Sequence, residues 1–160
     1  MAAGGGLVLA AMADVRFAST EARFTTTFLK RGLIAEHGTS WILPRLLGPG
    51  RALDLLFTSR MIDAAEAHRI GLVEHPAEPG ELLQRAREYV ELIARDAAPL
   101  TLAESKALVY RHLGMGYEEA LTEADRIQWQ ALARPDASEG ARALMERRAA
   151  RFERLGTPAG

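Results

Sequence analysis

Residues 30–75 read KRGLIAEHGTSWILPRLLGPGRALDLLFTSRMIDAAEAHRIGLVEH, and the order of apolar residues and breakers in this stretch decides the fold. Ser40 can cap a helix that carries Trp41, Ile42, Leu43, Leu46 and Leu47, with Pro44 expected in its first turn, where a missing N–H costs little. Gly48-Pro49-Gly50 ends that helix and opens a second one with Ala52, Leu53, Leu55 and Leu56 on its apolar face. Asp63, followed three residues later by Glu66, reads as an N-cap with a capping-box partner, and Gly71 stops the helix before a strand-like Leu72-Val73.

Upstream, AAGGGLVLAAMADVRFAS (residues 2–19) gives a short apolar helix over 7–12, then the alternation of Val15, Arg16 and Phe17 expected of a half-buried strand. Residues 19–39 are rich in Ser, Thr and Gly and read as a long loop with a short strand near 22–25, its large apolar residues being Phe24 and Phe28. The glycine triplet has no element before it in this reading, so the chain is expected to start inside a fold whose N-terminal portion lies elsewhere.

From Pro79 onward the pattern is helical: Leu82, Leu83, Ala86, Tyr89, Val90 and Ile93 recur at helix spacing, and two further helices are expected at about 100–113 and 117–133. Asp136 with Glu139 opens a last helix whose Ala143, Leu144, Ala150 and Phe152 alternate with five arginines between 142 and 154. The chain thus divides into an α/β part over 1–78 and a helical part over 79–160. Only its last few residues read as a loose tail.

Composition excludes several function classes. The 160 residues are 48% hydrophobic and 26% charged, which is the range of packed chains rather than disordered or collagen-like ones. Twenty basic against twenty-one acidic residues leave a formal charge of −1, so no global field attracts nucleic acid or an anionic membrane. The absence of cysteine excludes a disulfide framework, a thiolate nucleophile and Cys-ligated zinc, and makes the cytoplasm the default location. The apolar opening is too short for a membrane span and lacks the basic start of a signal peptide. His37, His68, His75 and His112 show no metal-ligand spacing, so no metal is expected.

Gly4-Gly5-Gly6 before a helix is the first candidate site, because a backbone without Cβ admits a ligand oxygen close to the helix's first N–H groups. A bare triplet is equally a tight helix entry. AAGGGLVLAAMADVRFAS, then ARF, then the 30–75 stretch, PLTLAESKAL and the terminal ASEGARALMERRAARF together resemble, collinearly and over nearly the whole chain, the crotonase family of enoyl-CoA hydratases and isomerases.

The resemblance implies an α/β ββα spiral of the crotonase type, represented here without its N-terminal half, and a C-terminal helical region that assembles as a trimer or dimer of trimers. It implies an acyl-CoA thioester as substrate, with CoA carried by the substrate and no other cofactor. The family's middle glycine gives its N–H to the thioester oxygen, and Gly5, flanked by Gly4, matches it. A second family donor comes from a half that no segment here resembles. Such donors stabilise the enolate formed when a proton leaves the neighbouring carbon.

Two glutamates hold and activate water in the family's hydratases, and the matching positions here are Val8 and Phe28, which cannot exchange protons; Phe28 is left as a substrate contact. In GLIAEHGTS, Glu36 resembles the catalytic glutamate of peroxisomal-type enoyl-CoA isomerases. One carboxylate suffices for double-bond migration. Burial among Phe24, Phe28 and Trp41 is expected to raise its pKa. His37, next to it on a loop, is expected to point away into solvent. Leu144 and Arg147 resemble the C-terminal helix positions that meet the adenine and phosphate end of CoA, a task that suits arginine's donor fork. Lys106 matches a recurring lysine with a surface or interface role. The rival readings are a non-catalytic chain that needs a separately encoded partner, and a hydratase working through a rearranged pair of groups.

Overall fold

The computed structural model describes residues Met1–Leu155, in two units, Met1–Arg87 and the chain from Glu88 onward. In the first unit a two-residue strand, β1 (Ala2–Ala3), precedes helix α1 (Gly5–Ala11), where the sequence suggested no preceding element. β1 pairs in parallel with β3 (Arg23–Thr25) in the register Ala2↔Phe24 and Ala3↔Thr25. β3 in turn pairs antiparallel with β4 (Ile62–Asp63), placing Phe24 opposite Ile62. A separate parallel pair joins β2 (Phe17–Ser19) to β5 (His75–Ala77), and the Phe17 and His75 rings stack at 4.6 Å.

Helices α2 (Thr39–Leu47) and α3 (Pro49–Thr58) pack against each other, and α2 also packs on α1. The core between sheet and helices holds Leu7, Val8, Phe24, Phe28, Leu43, Leu55, Ile62 and Leu72. Burying one such side chain stabilises the fold by about 1.5–3 kcal/mol.

α2 starts one residue before the expected Ser40 cap. Gly38 is its N-cap, left-handed at φ 81°, with no side-chain cap. Pro44 therefore sits inside the helix rather than in its first turn, and the packing of α2 on α3 offsets the lost N–H. α4 (Ala64–Arg69) has the expected cap, with the Asp63 carboxylate accepting the Glu66 N–H at 2.8 Å. The Glu66 carboxylate turns to Arg60 instead of closing the capping box. Leu72 and Val73 are not a strand: both N–H groups return to the Ala67 carbonyl, at 2.8 and 3.2 Å, and pairing begins only at His75.

Arg16 lies almost buried between these layers. Its Nε donates to the Leu72 carbonyl at 2.9 Å, its Nη1 to the Ala13 carbonyl at 2.8 Å, and its Nη2 pairs with Glu74, which also accepts the Arg16 N–H at 2.7 Å. Arg16→Met keeps the stem volume but strands these acceptors. It is expected to cost about 3 kcal/mol or more in the urea unfolding of the chain, whereas a loss below about 1 kcal/mol would show that water replaces the guanidinium at no expense.

α5 (Leu82–Asp96) leads from the first unit into the second, which contains α6 (Pro99–His112), α7 (Tyr117–Leu132) and α8 (Pro135–Glu146). α7 packs on α6 and on α8. Asp136 does not cap α8: Pro135 takes the first helical position after Arg134, as its fixed φ favours, and the Asp136 carboxylate accepts the Glu153 N–H at 2.9 Å. Arg134 forms a two-pronged pair with Glu104 at 2.6 and 2.7 Å. No helix among the described residues is long and apolar enough to cross a membrane.

Glu139 ties residues 148–151 to α8. The Arg148 guanidinium and the Arg151 N–H hold its carboxyl down at about 2, from an ordinary 4.5. A carboxylate with a lowered folded pKa stabilises the fold fully above the ordinary value and loses that contribution as pH falls through the folded one. Thermal melts at low salt are therefore expected to decline between pH 4.5 and about 2, and Arg148→Ala to flatten that decline. An unchanged slope in the variant would assign the acid sensitivity to other carboxylates.

Candidate active site

Gly4 is the N-cap of α1 at φ 52° and ψ −123°, a backbone region that an L side chain enters only with strain. Its N–H donates to the Thr25 carbonyl at 3.1 Å, which extends the β1–β3 ladder by one bond. A Cβ at Gly4 would stand 3.2 Å from Thr27 Oγ1 and 3.9 Å from Phe28 Cε1, so φ calls for glycine there and a side chain would also crowd the Thr27 hydroxyl. At Gly5 a Cβ would meet nothing within 4 Å. The N–H groups of Gly5, Gly6 and Leu7 take no partner among the described residues, and the first intrahelical bond runs from Val8 N to the Gly4 carbonyl at 3.1 Å. Unpartnered first-turn amides carry the positive end of the helix dipole.

The structure brings Gly4, Gly5, Val8 and Phe28 together. Val8 and Phe28 are 2% and 4% exposed and share one apolar cluster, and neither side chain can exchange a proton.

Glu36 lies on the loop before α2, not in an apolar pocket. Its side chain is 34% exposed, Phe24 and Phe28 are absorbed in the core, and Trp41 stands 48% exposed with the Arg45 guanidinium 3.9 Å over its ring. The expected burial fails because Trp41 faces Arg45 one turn along α2. His37 also departs from expectation: left-handed at φ 54°, it turns its imidazole back so that Nε2 lies 3.5 Å from Glu36 Oε2, while remaining mostly exposed. The Glu36 carbonyl accepts the Thr39 N–H at 2.9 Å and also the Thr39 hydroxyl, which fixes the loop independently of the carboxylate. Gly38 faces the Met12 methyl, 3.5 Å from where a Cβ would stand, so the loop rests on the far end of the helix that Gly5 begins.

Leu144 and Arg147 belong to the second unit. Leu144 is 79% exposed. Arg147 is not on the helix proper: α8 ends at Glu146, and Arg147 is its left-handed C-cap at φ 53°. Both arginines are exposed, but among the described residues Arg148 is engaged by Glu139 and Glu146 and Arg147 is in no ion pair. Among the described residues no group of three or more His, Asp or Glu could hold a metal ion.

A buried polar cluster escaped the sequence reading. Thr25 and Thr26 reach across to the carbonyl end of α3, where Ser59 is a left-handed C-cap at φ 45°. The signal was present as three consecutive threonines after ARF and as a serine where a helix end favours glycine.

An unpartnered amide turn beside buried Val8 and Phe28, with the Glu36 carboxylate on the loop before α2, is an arrangement in an α/β protein that can stabilise negative charge on a bound oxygen. The sequence pattern of the enoyl-CoA hydratase/isomerase family matches residues 1–155, and the chain belongs to that family, with the crotonase fold. It is 38% identical over 152 residues to a "probable enoyl-CoA hydratase" of Rhizobium meliloti (strain 1021), covering 95% of this chain and 59% of that protein. It is likewise 38% identical over 152 residues to the (E)-benzylidenesuccinyl-CoA hydratase of Thauera aromatica, covering 94% and 59%. A crystal structure of a probable enoyl-CoA hydratase/isomerase from Mycobacterium abscessus superposes with a TM-score of 0.92 at 30% identity, over 98% of this chain and 63% of that one. The chain thus spans 59% of the length of the two curated relatives, and both are named hydratases.

Proposed function

We propose that this chain acts on acyl-CoA thioesters by stabilising an enolate, and that it moves a double bond rather than adding water. The observation that carries this reading is the pair of buried apolar residues, Val8 and Phe28, at the positions that resemble the hydratase glutamates, with Glu36 the carboxylate on the next loop. The Glu36 carboxylate takes the α-proton of a β,γ-enoyl thioester, and the electron pair moves onto the carbonyl oxygen, where the Gly5 N–H receives it. The same carboxyl then returns the proton to the γ-carbon and leaves the conjugated α,β-enoyl thioester.

This step requires the Glu36 side chain to reach back along α1, whose length from Gly5 to Met12 is about 10 Å. Partial exposure suits a group that must both accept and release a proton. Leu144 and Arg147, both exposed, are proposed contacts for the adenine and phosphate end of CoA, which arrives with the substrate, so no separate cofactor is needed. We place the protein in the cytoplasm as a homo-oligomer.

The test is a direct comparison in one preparation. Incubation with a 3-enoyl-CoA is expected to produce the absorbance of the conjugated thioester, while water addition to a 2-enoyl-CoA is at least tenfold slower. The reverse ranking would make the chain a hydratase that uses groups other than Val8 and Phe28.

A second reading, a subunit that is inactive until it meets a partner chain, is favoured by the helical region. α5, α6 and α7 have no buried residue, and Tyr117, Trp129 and Met145 are largely exposed. Apolar surface of this extent normally meets another protein. Light scattering with parallel assays separates the two: an active homo-oligomer supports the first reading, and an inactive monomer supports the second.

A further inference from the structure

The Gly5 amide is aimed by the peptide that joins it to Gly4, and Gly4 is held by its N–H bond to the Thr25 carbonyl at 3.1 Å, with Thr27 Oγ1 3.2 Å from where a Cβ at Gly4 would stand. What holds Thr25–Thr27 is the carbonyl end of α3. Thr26 Oγ1, on a residue 1% exposed, donates to the Leu55 carbonyl at 2.9 Å, and Thr25 Oγ1 donates to the Ser59 carbonyl at 3.0 Å. Lys30 Nζ reaches the same Ser59 carbonyl at 3.1 Å, from the turn that follows Phe28. Ser59 itself is buried and left-handed, a conformation that a residue with a Cβ adopts only against steric cost, and its hydroxyl lies 3.5 Å from Thr26 Oγ1.

We infer that Thr26, with Thr25 and Ser59, forms a latch that sets the direction of the Gly5 N–H, so that these are positioning residues for the candidate oxyanion site. The inference rests on the proposed role of Gly5 for its chemical meaning, but the latch itself is a property of the free protein. A stack of apolar residues under Gly4 would hold its position without fixing its rotation. The hydroxyl-to-carbonyl bonds are directional, and burial of Thr25, Thr26 and Ser59 shields them from bulk solvent.

Thr26→Val is nearly isosteric; the Leu55 carbonyl keeps its bond from the Ser59 N–H at 3.0 Å and the Ser59 hydroxyl keeps its bond to the Leu56 carbonyl at 3.3 Å, so neither group is left without a partner. Amide NMR of the free full chain is the first measurement. In Thr26→Val the Gly5 cross-peak is expected to move and exchange of the Gly4 N–H to rise about tenfold, while the Leu72 N–H, bonded to Ala67, is unaffected. Thr26→Ser is expected to restore both signals. Gly4 and Gly5 signals identical to those of the wild type in Thr26→Val, or equally displaced in Thr26→Ser, would overturn the latch. Should Thr26→Val fail to fold, Thr25→Val, which removes the bond to Ser59, is judged by the same signals.

The second measurement uses an aryl-conjugated acryloyl-CoA, whose absorbance shifts to the red when its thioester carbonyl is polarised. Wild type and Thr26→Ser are expected to give the shift and Thr26→Val to lose most of it at similar affinity. A wild type that binds the thioester without any shift refutes the role given to Gly5, and the NMR result then still decides the latch.

Discussion

Glu36→Gln is expected to lower kcat for double-bond migration by about 10²–10⁴-fold, the range that a positioned acid/base group supplies. Glutamine keeps the shape of the side chain but removes its charge and its ability to carry a proton. The loop should hold, because Thr39 bonds the Glu36 main-chain carbonyl rather than its carboxylate, and Gly38 keeps its seat against Met12. The lost contact with His37, 3.5 Å away and largely exposed, is of the surface kind that is worth little. Stability and thioester affinity should therefore stay near wild type while turnover collapses, as read from conjugated-thioester absorbance and equilibrium binding. Turnover within a factor of about two of wild type would remove Glu36 from the chemistry.

Much of the local geometry of this candidate site was legible in the residues because it depends on near neighbours in the chain. Glycine at 4 is called for by a positive φ, and an apolar helix right after the triplet predicts the amide turn. Val8 and Phe28 read as apolar on sight, and they are core residues. The Asp63 cap was equally visible, since a side chain bonding an N–H three residues on is a matter of spacing alone.

The departures occur where tertiary partners decide. Leu72 and Val73 have strand-like side chains, but Ala67 captures both their N–H groups and no strand lies in reach before His75. Trp41 was expected over Glu36 and instead stacks under Arg45, a contact set by the helix phase of α2. The turn of His37 toward its neighbour follows from left-handed backbone at both His37 and Gly38, and only the second is announced by its residue type. The threonine latch was invisible for a related reason: its acceptors are main-chain carbonyls of a helix about thirty residues away, and a carbonyl leaves no mark in the sequence.

Gly5→Pro is expected to be the other large loss, about 10²–10³-fold in kcat, which is the usual cost of removing one oxyanion donor. Gly5 is the first residue of α1, where proline's fixed φ is favoured and its missing N–H breaks no helical bond. The open space around the Gly5 Cβ position allows Gly5→Ala as a matched control that adds an atom and keeps the donor. Alanine should retain activity within about threefold and proline should not, although both add bulk at one place, because only proline deletes the amide. Thioester affinity should fall much less than kcat, since the developing charge that the amide serves is far smaller in the ground state than in the enolate. Equal losses in the two variants would mean that space, not the N–H, is what the reaction needs at Gly5. Activity kept in both would move the oxyanion contact to the neighbouring free amides of Gly6 and Leu7.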